Sequence, residues 1–451
     1  MSFKINKNSI FEIKQLISDK NNETLSNRLE ELHYVDIAEI LDKLDFDSSV
    51  YIFKLLDSEK TSDILTELDD DIRDKILQAL STKEIAEEID ELETDDAADI
   101  IADLPEEQKE EVIAHLDDVE HAKDIVDLLR YNENTAGGIM GKELIKVYKD
   151  WTMFTCIKEM RHQAENIDKV HTVYVVDNHE ILKGRLSLKS MLTTSTKTPI
   201  KEIYKNNVIS VKVDDKDEEV ATIMQKYDLI VVPVIDEIGR LVGKITIDDV
   251  VDIIKEQVEK DYQMAAGLSE DVEADDSIFQ LIKGRLPWLI LGLLGSLGAV
   301  SIMRNFQSIM NNPHYKALFF FTPLIAAVAG NVGVQSSAIM VQGLANKIIK
   351  GSIWKRLLKE ITISSANGIV LSIIIILFGE LFHYDFIFTF AISISLISVI
   401  IIASLIGTFI PLVLDKKGID PALATGPFIT TSNDIFGILI FFNIAKLILG
   451  F

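Results

Sequence analysis

Asp434 lies about a dozen residues into the apolar stretch that ends this 451-residue sequence. A carboxylate near mid-bilayer costs roughly 2.5–3.5 kcal/mol on insertion scales, so it normally faces a polar path or a partner. Lys446 is the single base in that stretch, twelve residues away, or about 18 Å of helix. An ion pair is therefore a poor account of Asp434, and cation binding a better one. The surrounding residues offer oxygen. Asn331 sits in Gly330-Asn-Val-Gly-Val-Gln-Ser-Ser337, and Thr430 and Thr431 precede Asp434 in a run that opens Gly426-Pro427. Gly330, Gly333, Gly426 and Pro427 can free backbone carbonyls, which a bilayer tolerates only beside protein or a water-filled path. For Gly333 and the serines, close helix packing stays open as the alternative. Carboxylate, amide and carbonyl oxygens suit a hard divalent cation that keeps part of its water shell.

A second set of acids follows a different logic. At 100° per residue, Asp249, Asp252, Glu256 and Glu259 fall within an arc of about 80°, with Ile247, Val250, Val251, Ile254 and Val258 opposite. Like charges at i, i+3 and i, i+4 destabilise a helix unless something neutralises them. Divalent cations on the carboxylates would do so, and an amphipathic solvated connector is the plainer alternative. Thr246 and Asp249, three apart, have the spacing of a cap on the helix that follows.

The elements that must hold these residues differ sharply in composition. The chain carries 45 Lys+Arg against 71 Asp+Glu, a formal net charge of −26. After Lys283 there are only six acids and eleven Lys+Arg, so the first 283 residues are strongly anionic. That balance excludes a nucleic-acid binder and favours attraction of cations. The single cysteine, Cys156, excludes an intrachain disulfide and a thiolate cluster. The opening residues lack a signal peptide's apolar run, which places the anionic part in the cytoplasm.

Five apolar stretches follow Arg285: 286–303, 317–345, 357–381, 386–414 and 422–451. Each is long enough to span, the first barely. Lys347, Lys350, Lys355, Arg356, Lys359, Lys416 and Lys417 fall on one side, and Arg304 and Lys316 on the other. The positive-inside rule then puts the N-terminus inside and the C-terminus outside.

Two segments repeat at an offset of 59. Val173–Asp177, Leu182 and Gly184–Leu188 align with Val232–Asp236, Leu241 and Gly243–Ile247. Each reads as strand, turn, strand and helix. The pattern resembles a tandem pair of CBS domains, modules that often bind adenosine nucleotides. That resemblance implies phosphate and ribose contacts at Thr246 and Asp249. The first copy has Ser187 and then Ser190 where an Asp would fall, so one good site is expected. Residues 10–130 lack glycine and read as short capped helices, an α-superhelix.

In this order the parts resemble the MgtE family of magnesium channels and transporters, over essentially the whole chain. The motifs that carry the likeness are 330–337 and Asp420–Asp434. The resemblance implies a homodimer with a pore on the two-fold axis, lined by the second and fifth spans, and a hydrated Mg²⁺ held at Asp434. It also implies that the acidic connecting helix is a plug, locked by Mg²⁺ bound between it, the CBS pair and the N-terminal domain. Asp228 is a further candidate ligand. Val334 stands where some members carry a second Asn.

The expected architecture is multidomain. It comprises an all-α superhelical domain (1–130), an α/β CBS pair (131–200 and 201–254), an acidic connecting helix (248–283) and a five-span helical membrane domain (284–451). The expected function is Mg²⁺ uptake across the cell membrane with closure by cytoplasmic Mg²⁺, and no enzymatic activity. Expected partners are lipid, a second copy, Mg²⁺ and an adenosine nucleotide such as ATP. The alternatives are a broader Co²⁺/Ni²⁺ carrier and a nucleotide-sensing membrane receptor.

Overall fold

The computed structural model describes residues 6–167, 169–268, 272, 276–311, 315–345, 348–349, 352–424 and 426–450. Lys347, Lys350 and Thr425 therefore lie outside the described residues. The chain divides into two compact units, Met1–Ile254 and Lys255–Phe451.

The first unit opens on short helices: α1 (Lys7–Ser18), α2 (Asn22–Glu30), α3 (Tyr34–Leu41), α4 (Phe46–Phe53), α5 (Ser58–Glu67), α6 (Asp70–Gln78), α7 (Thr82–Ile89), α8 (Thr94–Asp103), α9 (Glu106–His115) and α10 (Val119–Leu128). Polar caps start them. Asn6 and Ser81 make reciprocal capping boxes, and Asp45 and Asp118 accept first-turn N–H groups. Each helix is too short to be stable alone, so its apolar stripe must be buried on neighbours. Contacts between α3 and α5, α5 and α7, α7 and α9, and α8 and α10 show the superhelical stacking. Ile37, Ile64, Ile85 and Ile101 lie in one continuous core.

The repeats follow. The first has β1 (Ile145–Tyr148), α11 (Met153–Gln163), β2 (Val173–Val176), β3 (Leu182–Leu186) and α12 (Leu188–Thr193). The second has β4 (Val211–Lys212), α13 (Asp217–Tyr227), β5 (Val231–Ile235), β6 (Leu241–Thr246) and α14 (Ile247–Ala266). Each forms a three-stranded sheet, one parallel pair followed by one antiparallel pair. The offset of 59 survives in the register. Val173 pairs with Leu186 and Val175 with Gly184, as Val232 pairs with Ile245 and Val234 with Gly243. Leu182 donates its N–H to Gly239 and Leu241 to Glu180, each at 3.0 Å, so equivalent turns join the two repeats.

Among its described residues the second unit holds five helices long and apolar enough to cross a membrane. They are α15 (Ile278–Asn305), α16 (Thr322–Ala345, preceded by a 3₁₀ segment Lys316–Phe321), α17 (Ile353–Leu381), α18 (Phe386–Lys416) and α19 (Gly426–Leu449). Helix α18 packs against α16, α17 and α19. The Ser364 hydroxyl donates to Ser404 Oγ at 2.6 Å, and Ser372 to the Ser393 carbonyl at 3.1 Å. Small hydroxylated residues permit such close approach where lipid supplies no hydrophobic drive.

Two expectations about chain breaks change here. Helix α16 runs unbroken through Gly330–Ser337, so no carbonyl there leaves the ladder. Pro323 and Pro427 are each the second residue of their helix, where a missing N–H costs nothing. Gly426 takes φ +51°, so the break lies at the start of α19, and Asp434 is its ninth residue.

Candidate cation sites

The membrane unit contains a cavity of about 400 Å³ lined by Ala326, Ala327, Gly330, Asn331, Val334, Gln335, Thr430 and Asp434. Helical spacing explains the set. Ala327, Asn331 and Gln335 are successive i, i+4 positions on α16, and Thr430 and Asp434 are one such step on α19. Asn331 and Gln335 are exposed. The cavity thus offers one carboxylate, two amides and a hydroxyl, enough oxygen for a cation that retains part of its water shell. No base pairs with Asp434 among the described residues.

The other membrane residues singled out from the sequence have different surroundings. A Cβ on Gly333 would overlap the Asn433 amide, and one on Gly407 would overlap the Gly333 carbonyl. Gly333 therefore serves close packing of α16, α18 and α19. Thr431 abuts Gly295 of α15. Gly426 and Pro427 lie against Ala265 and Gly267, at and just beyond the end of α14. Glu360, near the start of α17, accepts the Ser336 hydroxyl at 2.6 Å. Gln335 joins the lining through its i+4 relation to Asn331, a spacing legible in the sequence.

The first unit contains a second arrangement. Glu93, Asp95 and Glu143 each place a carboxylate oxygen within 4.8 Å of the others. Glu93 immediately precedes α8, Asp95 lies in its first turn, and Glu143 comes from the loop before β1. Glu143 Oε1 accepts the Thr94 N–H at 2.8 Å, and Thr94 Oγ1 accepts the Lys142 N–H at 2.8 Å. The carboxylate oxygens Asp95 Oδ1 and Glu143 Oε2 are buried without a hydrogen-bond partner. Lys244, from β6, brings its ammonium to Glu93 Oε2 at 3.1 Å.

Asp249 faces the same group. Its carboxylate accepts both the N–H and the hydroxyl of Thr246, at 2.9 and 2.7 Å, capping the start of α14. Desolvation raises the Asp249 pKa despite these bonds. Desolvation, followed by repulsion from Asp249, holds Asp95 well above the carboxylate range. The same two causes push Asp96 up to about 7, and desolvation with repulsion from Asp103 pushes Asp99 up to about 6. Asp96 and Asp99 keep surface open to solvent, so crowding by like charge is the firmer cause for them. Glu93 is raised by burial, which outweighs the pull of Lys244. Such a cluster disfavours full ionisation unless a cation neutralises it.

Asp252, Glu256 and Glu259 are exposed along α14, and so are Val251, Ile254 and Val258 on its apolar side. Asp228 is exposed and takes a left-handed conformation at the C-cap of α13. The cleft between the repeats, lined by Glu143, Lys169, His171, Tyr174 and Lys244 among others, has a volume of about 10 Å³, about that of one water. Thr246 is buried beside it and bonded to Asp249.

Together these features define a polytopic membrane protein with an oxygen-lined intramembrane cavity, an acidic helical domain and a tandem CBS pair. Residues 322–444 match the family model described as MgtE, divalent cation transporter. Residues 32–134 match the MgtE intracellular N domain, and 136–196 and 200–256 match CBS domains. The chain is 35% identical over 333 residues to the magnesium transporter MgtE of Enterococcus faecalis, covering 74% of this chain and 73% of that one. It is 31% identical over 343 residues to the magnesium transporter MgtE of Thermus thermophilus, covering 73% and 75%. The solved cytosolic domain of the Mg²⁺ channel MgtE in complex with ATP is similar at TM-score 0.51 and 31% identity, over 54% of this chain and 99% of that one. The chain belongs to the MgtE family of divalent cation transporters.

Proposed function

We propose that this chain is a Mg²⁺-selective uptake channel or transporter of the cell membrane, closed from the cytoplasmic side when Mg²⁺ is abundant. The observation that carries the reading is the cavity where Asn331 and Asp434 meet from α16 and α19. One chain supplies one carboxylate and an exposed polar face. A two-fold copy would double both and complete a pore around the axis, so the working form is a homodimer. Lipid would cover the outward leucines of α15, Leu289, Leu293 and Leu297, all more than half exposed. The distribution of Lys and Arg supports a cytoplasmic N-terminus and an extracytoplasmic C-terminus.

The acid cluster around Glu93, Asp95, Glu143 and Asp249 is the proposed sensor. Mg²⁺ bound there favours the assembled first unit. Asp252, Glu256 and Glu259 extend the same response along α14, with Asp228 a weaker candidate ligand. An adenosine nucleotide is proposed for the CBS pair, as in the related ATP complex. Binding at Thr246 and Asp249 would need the 10 Å³ cleft to open and the Thr246–Asp249 bond to yield. Lys169 and His171 would then meet the phosphates.

Purified protein in liposomes, followed by a Mg²⁺-sensitive dye, tests the transport reading. Wild type should admit Mg²⁺ and Asp434→Ala should not. Equal uptake of Co²⁺ or Ni²⁺ would favour the broader carrier, consistent with apolar Val334 in the lining. No flux of any cation would favour a nucleotide-sensing receptor.

A further inference from the structure

The side chain of Lys244 is 5% exposed, and its ammonium lies among carboxylates. It contacts Glu93 at 3.1 Å and acts electrostatically on Asp249 as well. The equivalent residue of the first repeat, at the same point of the antiparallel pairing, is Arg185, and it is exposed. Burial of a cation at this position is therefore not required by the repeat fold. Burying an ammonium is costly unless it is well paired. Here the opposing charge is far in excess. Glu93, Asp95, Asp96, Glu143 and Asp249 act on one another electrostatically, and two of their buried oxygens have no partner. One monovalent cation leaves most of that charge unneutralised.

We infer that Lys244 is a built-in counter-ion that sets the Mg²⁺ concentration at which the sensor responds. This rests on the sensor reading of the acid cluster. In Mg²⁺-poor conditions the ammonium holds Glu93 and offsets part, but not all, of the repulsion that drives the superhelix away from the repeats. An incoming divalent ion must compete with it for Glu93 and is repelled by its charge. The sensor's affinity is thereby lowered into a range where it can still release the ion. A tether on the protein also keeps the competitor at fixed local concentration, whatever the ionic strength of the cytoplasm.

The test is limited proteolysis of the full-length protein across a Mg²⁺ titration, on wild type, Lys244→Met and Lys244→Gln. Methionine retains an unbranched apolar stem one atom shorter, and glutamine retains a donor for Glu93. In both variants the midpoint of Mg²⁺-dependent protection should fall to about one-tenth of the wild-type concentration, since a nearby unit charge repelling a divalent ion is removed. In chelator both should be cleaved faster than wild type, because Glu93 has lost its counter-ion. Wild-type protection with an unchanged or higher midpoint in the variants would overturn this inference and leave the sensor reading standing. Absence of Mg²⁺ protection in wild type would remove both.

Discussion

Glu143 accepts the backbone N–H of Thr94 at 2.8 Å, so a carboxylate from the repeat domain sits at the positive end of α8 in the superhelix. Helix N-termini favour negative charge, which makes this a docking contact. Its second oxygen, Oε2, is buried and unpartnered, and it belongs to the acid cluster. One side chain thus both joins the two domains and opposes their junction when no cation is present. Glu143→Gln separates the two effects. The amide oxygen still accepts from Thr94, but one like charge is gone. The variant should resist proteolysis better than wild type in chelator and gain less from Mg²⁺. Glu143→Ala should lose the docking bond as well, at a cost of about 1–3 kcal/mol for the orphaned N–H. Identical protease protection for Gln, Ala and wild type would argue against the junction.

Protons should partly substitute for Mg²⁺. Asp95, Asp96, Asp99, Glu93 and Asp249 all have raised pKa values, about 7 for Asp96 and about 6 for Asp99. Between the ordinary carboxylate value and the raised one, the assembled form holds more protons than the separated form. Its stability therefore decreases as pH rises from the ordinary carboxylate range through the raised values, and levels off once pH exceeds them. In chelator, the Tm of the full-length protein should be higher at pH 6 than at pH 8, and saturating Mg²⁺ should narrow the gap. Buried Glu88, raised to about 7 and bonded to Thr61, acts in the same direction. Asp177, held at about 2 chiefly by Lys183, titrates far below this window. An Asp95→Asn, Asp96→Asn double variant isolates the cluster, and should lose most of the pH 6 to pH 8 difference. Calorimetry finding the wild-type difference intact in that variant would locate the effect elsewhere.

At the proposed pore, Asp434→Ala should abolish Mg²⁺ uptake while the protein stays folded, because the role proposed for the carboxylate is ion binding and a charge there is costly to embed. Asn331→Ala should slow uptake or alter selectivity less severely, since an amide supplies a neutral contact. Size-exclusion profiles run alongside flux measurements separate loss of conduction from loss of fold. Asp434→Ala with normal uptake would remove the pore assignment.

Gly333 makes a different prediction, for packing. Gly333→Val should destabilise the membrane unit by about 1–3 kcal/mol through overpacking against Asn433 and Ile429. The thermal midpoint in detergent should fall, whereas Gly330→Ala, whose Cβ meets only Thr430 at 3.2 Å, should be milder.

What the sequence disclosed and what it hid follow from contact range. The 59-residue offset was readable because each repeat is a local unit, and it reappears residue for residue in the strand register. Asp434 was readable because a lone acid in an apolar run stands out. The Glu93–Asp95–Glu143 group was not. Glu143 lies about fifty residues beyond Glu93 and Asp95 in an acid-rich region, and only docking of α8 on the loop before β1 brings it to them. The Gly426-Pro427 pair was read as a break within a span, yet proline in a first turn is a helix start. Thr431 and Gly333 share their span's motif with the cavity residues but point to neighbouring helices, a distinction of helical phase.

The last prediction concerns the gate. Helix α14 carries Asp249 of the acid cluster in its first turn and Asp252, Glu256 and Glu259 exposed along its length. Its far end meets the start of α19, where Ala265 and Gly267 lie against Gly426 and Pro427. Asp261, on the same helix, has a raised pKa, chiefly from desolvation and then from repulsion by Asp420. Without divalent ions these carboxylates repel one another and their neighbours, and the proposed plug is free to move. Ions that bind only the compact form shift the population towards it, by their differential affinity summed over sites. Several weak sites acting together give a steep response, so uptake would stop once the cytoplasm is replete. Replacing Asp249, Asp252, Glu256 and Glu259 together by Asn or Gln removes both the repulsion and the ion sites. The resting position of the gate could then move either way, but its dependence on Mg²⁺ should flatten. Limited proteolysis between residues 130 and 285, across a Mg²⁺ titration, reads this directly. Wild type should become protected over a narrow concentration range, and the quadruple variant should show a shallow curve or none. Superimposable curves would mean that α14 does not carry the Mg²⁺ response.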